Sequence, residues 1–335
     1  MTQSQAKKRS NAIDMVKGLS IMTLFFLHFE ENAIVSDYNF LLLRSPAFYI
    51  IIGWLWGLSQ NRRSVTEHWK KRLNGLVKPY IYFSLIFIIF DIIMVALQML
   101  DSHILYRDIY KSLCLRGIGT LWFLPALLGG EIIFLYLRTK KLYIKICSFI
   151  FILILLYLLW NGVELRHNTL NNIINAPIST CKDICIAFIF ISLTYLISRK
   201  WGKKILATDK KILFTIGIAL YLCDFCIMNF YYTTDPILYI ISSMLACIGI
   251  LLLFTTIEHF KFISSPLAYC GRNSLIIMAV HYNLLYQITL ICDKELLGSP
   301  SYSGFKTLIY FIIALFLQII IIEFINRKVP FMIGK

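Results

Sequence analysis

Charge is scarce in this 335-residue chain, and acidic residues are scarcest, with 18 Asp and Glu against 33 Lys and Arg. Hydrophobic residues make up 59% of the chain, charged residues only 15%, and the mean hydropathy is +0.73. A soluble domain of this length needs more charge on its surface, so the composition excludes one. The apolar residues stand in long blocks, which predicts that lipid surrounds most of them.

Paired metal ligands are also lacking. Most of the nine cysteines lie inside apolar blocks, where a small side chain is expected in a membrane helix. Cys223 and Cys226 form a C-x-x-C pair, but no second pair of ligands lies near them in the sequence, so we predict no metal site. No internal repeat or soluble domain is evident, and we interpret 1–335 as a single integral-membrane domain.

Ten apolar segments are long enough to cross a hydrocarbon core of about 30 Å as helices. The sequence therefore predicts an all-α polytopic membrane protein, a bundle of about ten transmembrane helices. The predicted spans are 13–33, 39–59, 79–100, 119–137, 142–160, 176–198, 211–230, 236–257, 273–292 and 305–325.

The basic residues are distributed unevenly over the connections between these spans. Connections on one side carry 25 of the 33 Lys and Arg, and those on the other side carry 8. Because cytoplasmic loops are enriched in Lys and Arg, both termini are predicted to lie in the cytoplasm. Contact with anionic lipid also explains the net charge of +15, so nucleic acid is not an expected partner.

His28 is an ionisable residue deep in the first predicted span. It lies eleven residues, about 16 Å, beyond Lys17 and on the same helix face. Counted from Ile13 it is about 22 Å deep, past the bilayer midplane toward the outside. Glu30 and Glu31 follow within a turn, and a carboxylate can orient an imidazole. His28 is therefore a candidate for proton transfer; a neutral, hydrogen-bonded structural histidine is the alternative.

Further polar features are candidates. Glu131 lies near the midplane of the fourth predicted span and His281 one to two turns into the ninth, where ionisable groups are costly. The basic connection 60–78 could hold the phosphates of a nucleotide-like donor. Each feature has a structural alternative: a buried, hydrogen-bonded side chain for Glu131 and His281, and a topology signal alone for 60–78. Lys17 with Asp14 is likewise open between a site and an interfacial pair.

Four stretches carry short motifs in the same order as the spans. Together they resemble the signatures of the membrane-bound acyltransferase 3 family, whose members move acyl groups onto sugars. Gly75 stands where that family often has a second arginine. The four stretches are 11–18 (NAIDMVKG), with ten residues between Lys17 and His28; 71–80 (KRLNGLVKPY); 121–127 (LWFLPAL) with Glu131; and 271–275 (GRNSL) with His281 and Tyr282.

The resemblance implies an O-acyltransferase of the bacterial cytoplasmic (inner) membrane. It would transfer an acetyl group from acetyl-CoA to a hydroxyl of a cell-envelope polysaccharide or of its lipid-linked precursor. Lys17, Arg72 and Lys78 would bind the phosphates of the donor. His28 would act as the base on the acceptor hydroxyl or would carry the acyl group. Membrane lipid and a saccharide are then the expected partners, and no metal is expected.

A rival interpretation is a polytopic transporter or flippase of lipid-linked saccharides, because deep ionisable residues also suit proton coupling. Transporters more often show internal repeats and paired broken helices, and neither is evident in the sequence. In the acyltransferase interpretation the remaining candidates are Glu30 and Glu131 as catalytic residues, and Trp122, Glu31, Arg44 and His281 as contacts to the saccharide.

Overall fold

The architecture is helical throughout the part of the chain that the computed structural model describes, residues 11–29, 46–59, 65–162, 169–230, 235–282 and 304–335. One π-helical turn lies at Leu73–Val77, and 3₁₀ turns lie at Gly119–Trp122 and Pro330–Ile333. The α-helices are α1 (Asn11–Phe29), α2 (Pro46–Leu58), α3 (Val65–Arg72), α4 (Lys78–Ala96), α5 (Ser102–Leu113), α6 (Phe123–Arg138), α7 (Leu142–Gly162), α8 (Thr169–Ala207), α9 (Lys210–Phe230), α10 (Pro236–Ile257), α11 (Lys261–Arg272), α12 (Ser274–Val280) and α13 (Gly304–Lys328).

Several helices have the length and hydropathy to cross a bilayer. Their outward faces carry exposed apolar side chains, such as Phe151 and Leu158 of α7, as expected where lipid is the neighbour. The chain is therefore an all-α, multi-pass membrane protein, while the number of ten spans and the cytoplasmic termini remain predictions. Among the described residues the five long apolar segments are Trp69–Ala96, Gly119–Arg138, Leu142–Trp160, Ile174–Ala207 and Pro236–Ile257, and Pro46–Leu58 is a shorter one.

Helix α8 is the longest of the described helices, with 39 residues. It packs against α2, α6 and α7, and all its residues from 185 to 191 are buried. The Ser198 hydroxyl of α8 donates a hydrogen bond to the Trp54 carbonyl of α2 at 2.8 Å. Helix α8 thus supports α2 and α6, which carry part of the site described below.

Two amphipathic helices, α5 and α11, occupy connections between predicted spans. Helix α5 lies within 101–118, and its N-cap residue Asp101 accepts a hydrogen bond from the backbone N–H of His103 at 3.1 Å. Helix α11 lies between the predicted spans 236–257 and 273–292. Each has 12 residues, which is too short to span a bilayer. Neither helix is one of the long apolar segments.

The basic connection 60–78 is helical over the part that the structure describes. Helix α3 runs directly into the π-helical turn and then into α4. Such a turn inserts an extra residue into the helical ladder and is frequent at functional sites. Arg72, the last residue of α3, consequently lies at the edge of the bundle rather than in an open loop.

Candidate active site

Helix α1 carries Lys17 and His28 on one continuous helix. Asp14, in the first turn, forms an ion pair with Lys17, with 3.3 Å between Oδ1 and Nζ, and the Asp14 side chain is buried. A carboxylate is favoured at this end of a helix by the helix dipole. Lys17 is thus held at the start of α1, and His28 lies about 16 Å further along the axis.

A close crossing of α1 and α11 sets the position of α1. At this crossing Gly18 of α1 meets Gly271 of α11, and neither position has room for a side chain. A Cβ atom on Gly18 would lie 1.9 Å from the Leu267 carbonyl oxygen, and one on Gly271 would lie 1.8 Å from the Asp14 carbonyl oxygen. The two backbones are therefore in direct contact. Because α12 follows α11 after one residue, the crossing also sets the position of α12 relative to His28.

Asn273 connects α11 to α12 and to α13. Its side-chain amide donates to the Tyr269 carbonyl at 3.0 Å, which closes the last turn of α11. Its side-chain oxygen accepts a hydrogen bond from Asn326 of α13 at 2.9 Å. This polar contact holds the start of α12 in place. Seven residues later the chain reaches His281, beside α1.

The His28 and His281 rings meet between α1 and the end of α12. Their centroids are 5.4 Å apart with an angle of 37° between the planes. The Tyr282 ring contacts His28 edge-on at 4.8 Å, and the Phe25 ring contacts His281 edge-on at 5.3 Å. These four residues form what we call the histidine cluster. His28 is partly exposed, whereas His281 and Phe25 are buried.

Nδ1 of the His281 ring is hydrogen-bonded to the backbone. Its Nδ1 lies 2.7 Å from the Ile277 carbonyl oxygen, one turn earlier in the helix. Since a carbonyl can only accept, Nδ1 carries the proton and the neutral ring presents a lone pair on Nε2. That Nε2 atom is buried and has no hydrogen-bond partner among the residues that the structure describes.

The segment Gly119–Arg138 runs from one end of the candidate site to the other. The Thr120 hydroxyl donates a hydrogen bond to the Met278 carbonyl, three residues before His281. Glu131 follows eleven residues after Thr120, about 16 Å along the helix axis. The segment therefore reaches from the level of the histidine cluster to a second polar cluster around Glu131.

Glu131 is fully buried, and Arg72 and Trp56 contact its carboxylate. Arg72 Nε lies 2.6 Å from Oε2, and Arg72 Nη2 donates to Oε1 at 2.8 Å. The indole N–H of Trp56 also donates to Oε1, at 2.9 Å. The Arg138 guanidinium lies over the Trp56 ring, 4.9 Å from its centroid. We call these four residues the arginine–glutamate cluster; it joins α2, α3 and α6.

Trp122 belongs to a third group of side chains, at the start of α6. The Arg116 guanidinium lies 5.5 Å from the centroid of the Trp122 ring and forms an ion pair with Asp183 of α8. Trp122 is partly exposed, and its neighbour Phe123 stacks on the buried Tyr49 ring at 5.0 Å. An aromatic face flanked by a charged pair suits a polar ring-shaped ligand.

Both clusters lie within a stretch that matches a known family. Residues 10–327 match the family model described as an acyltransferase domain, that of acyltransferase 3. The chain belongs to the acyltransferase 3 family. No match was found among curated proteins or among solved structures.

In this acyltransferase the predicted site residues separate into groups. His28 and His281, predicted in different roles, share the histidine cluster. Arg72 and Glu131, also predicted in different roles, share an ion pair. Lys78 is exposed at the start of α4. The predicted residues Glu30, Glu31 and Arg44 lie outside the described residues.

The sequence pointed to neither Trp56 nor the Arg116–Asp183 pair as part of a site. Trp56 meets Glu131 across 75 positions of sequence, and Arg116 meets Asp183 across 67. No local motif marks such contacts. An aspartate inside an apolar span, as Asp183 is, was the signal that could have been followed, because such a residue needs a partner.

Proposed function

We propose that this membrane acyltransferase transfers an acetyl group from acetyl-CoA to a hydroxyl of a cell-envelope polysaccharide or of its lipid-linked precursor. The enzyme would lie in the cytoplasmic membrane of a bacterium. Membership of the acyltransferase 3 family supports acyl transfer. The observation that carries the proposal is the pair of imidazole rings, His28 and His281, within a helical bundle that is otherwise largely apolar.

His28 is the proposed group at the reaction. Imidazole exchanges protons near neutral pH and is also a nucleophile, so it suits a base on the acceptor hydroxyl or a carrier of the acyl group. His28 is partly exposed while its neighbour His281 is buried, which makes His28 the ring that a substrate would reach.

Arg72, Lys17 and Lys78 are the proposed contacts to the donor phosphates. Arginine has five N–H donors, and the ion pair with Glu131 uses Nε and Nη2, so the donors of Nη1 lie outside that pair. We assign Glu131 to holding Arg72 rather than to the acyl-transfer step, because its carboxylate contacts the guanidinium directly. The bound donor would supply the activated acyl group.

Trp122 is the proposed contact to the saccharide. A flat aromatic face accepts the C–H face of a sugar ring, and the adjacent Arg116 and Asp183 offer a hydrogen-bond donor and acceptors to its hydroxyls. Glu30, Glu31 and Arg44 stay candidates from the sequence for contact with the histidine or the sugar.

The experiment compares cells that carry the wild-type chain, the His28→Ala variant or no chain, at equal protein level. The O-acetyl content and the amount of surface polysaccharide are both measured. We expect acetyl groups to be lost without the chain and in the variant, with the amount of polymer unchanged. Wild-type acetylation in His28→Ala would contradict the role of His28. Loss of polymer with normal acetylation of the remainder would favour the transporter.

A further inference from the structure

The Nε2 atom of His281 is a buried hydrogen-bond acceptor for which the described residues supply no donor. Leaving such an atom unpaired costs about 1–3 kcal/mol, so native proteins nearly always provide a partner. The Nδ1 proton is already given to the Ile277 carbonyl. Nε2 therefore needs a donor, and the His281 ring has only 1% of its surface exposed.

Among the described residues, the His281 ring contacts the rings of Phe25 and His28. Phe25 has no polar group, whereas His28 carries an N–H in its neutral form. An in-line N–H···N bond of about 2.9 Å, with about 1.2 Å from each ring centroid to its nitrogen, requires centroids about 5.3 Å apart. The observed separation is 5.4 Å. The distance between the two rings therefore permits such a bond.

We propose that His281 is a positioning residue: Nε2 of His281 accepts a hydrogen bond from one ring nitrogen of His28 and so fixes the tautomer of His28. The second nitrogen of His28 then carries the lone pair of the neutral ring. This is the nitrogen that would act on the acceptor hydroxyl or on the acyl group. The inference rests on the proposed function for its catalytic consequence, but not for the contact between the rings.

Two substitutions of His281 separate positioning from packing. In His281→Asn the side-chain amide can still donate to the Ile277 carbonyl, but no acceptor remains where Nε2 was. In His281→Gln the longer side chain can place its amide oxygen near the former Nε2 position. His103→Asn, at an exposed histidine of α5, is the matched control.

The first measurement is nitrogen NMR of the full-length chain with ¹⁵N-labelled histidine, in which His28 is identified among the six histidines by its loss in His28→Ala. We expect a single His28 tautomer in the wild type, His281→Gln and His103→Asn, and a mixture of tautomers in His281→Asn. A mixture already in the wild type would overturn the proposal, even if neither His281 variant folds. The same His28 signals in the wild type and in His281→Asn would also overturn it.

The second measurement is acetyl transfer by the same proteins. Loss of a group that orients a reactive histidine typically costs 10–100-fold, so we expect kcat of His281→Asn to fall about 100-fold with KM unchanged, and His281→Gln to stay within about tenfold of the wild type. Equal activity, or equal loss, in Asn and Gln would overturn the positioning role. If the wild type itself transfers no acetyl group, the proposed function fails, while the NMR comparison still decides the contact between His28 and His281.

Discussion

The two buried polar clusters of the bundle differ in how their groups are paired. In the arginine–glutamate cluster a fully buried carboxylate meets a guanidinium and an indole N–H. In the histidine cluster Phe25 and Tyr282 contact the two imidazole rings edge-on, and Nε2 of His281 has no hydrogen-bond partner within the described part of the chain. A paired charge resists movement and holds helices in register, whereas an open acceptor beside an imidazole is suited to moving a proton. We infer that the first cluster shapes the donor end and that the second carries the chemistry.

The largest effect is expected from His28→Asn in the purified protein. Removing a general base or nucleophile costs about 10²–10⁴-fold in rate, whereas acetyl-CoA binding should be unchanged because the proposed donor contacts, Arg72, Lys17 and Lys78, lie outside the histidine cluster. Transfer of radiolabelled acetyl and equilibrium binding of acetyl-CoA are the measurements. Loss of acetyl-CoA binding in this variant would contradict the assignment of donor binding and chemistry to different clusters.

Glu131→Gln should affect the arginine–glutamate cluster instead of the histidine cluster. It leaves the Arg72 charge beside a buried neutral amide, and the partial exposure of Arg72 limits the cost to about 2–3 kcal/mol of stability. The temperature of thermal unfolding in detergent should fall, and the Kd for acetyl-CoA should rise. The matched control is Glu323→Gln, whose i,i+4 partner Arg327 is 77% exposed and whose pair should contribute less than about 0.5 kcal/mol. Equal effects of the two substitutions would mean that the buried pair is not structural.

Gly271→Ala tests whether the helix crossing positions the histidine cluster. The new Cβ would overlap the Asp14 carbonyl, so α1 and α11 must separate, at a cost of about 1–3 kcal/mol. We expect acetyl transfer to fall because His28 moves relative to His281. Gly75→Ala is the control, since a Cβ there meets nothing within 4 Å. Normal acetyl transfer by a less stable Gly271→Ala protein would show that the reaction does not depend on the position of the His28 ring relative to the His281 ring.

Trp56→Phe should have the smallest effect. The phenyl ring keeps the aromatic surface near Arg138 but removes the N–H that donates to Glu131. One hydrogen bond to a charged group contributes about 1.5–3 kcal/mol at most, and the remaining Arg72 pair should hold the loss near about 1 kcal/mol. This loss of stability is measured by thermal unfolding of the variant and of the wild type. A loss as large as that of Glu131→Gln would show that the indole, not the guanidinium, holds the carboxylate.

Much of the candidate site was visible in the sequence one residue at a time. His28, Glu131 and His281 were found because ionisable groups in apolar segments are costly, and Arg72 because of its motif and basic surroundings. Their pairing was not visible. Glu131 was predicted as catalytic and Arg72 as a donor contact, yet the two share an ion pair across 59 positions. Such contacts depend on which helices are neighbours, and hydropathy does not predict which helices these are.

The sequence by itself determined the surroundings of this protein and its class of structure. Long apolar blocks require lipid, and backbone hydrogen bonds in lipid require helices, so both follow from local composition. Helical periodicity also sufficed to put Lys17 and His28 on one helix, about 16 Å apart. Only the tertiary structure decided that His28 meets His281, because that contact depends on two glycines, Gly18 and Gly271, which allow α1 and α11 to touch.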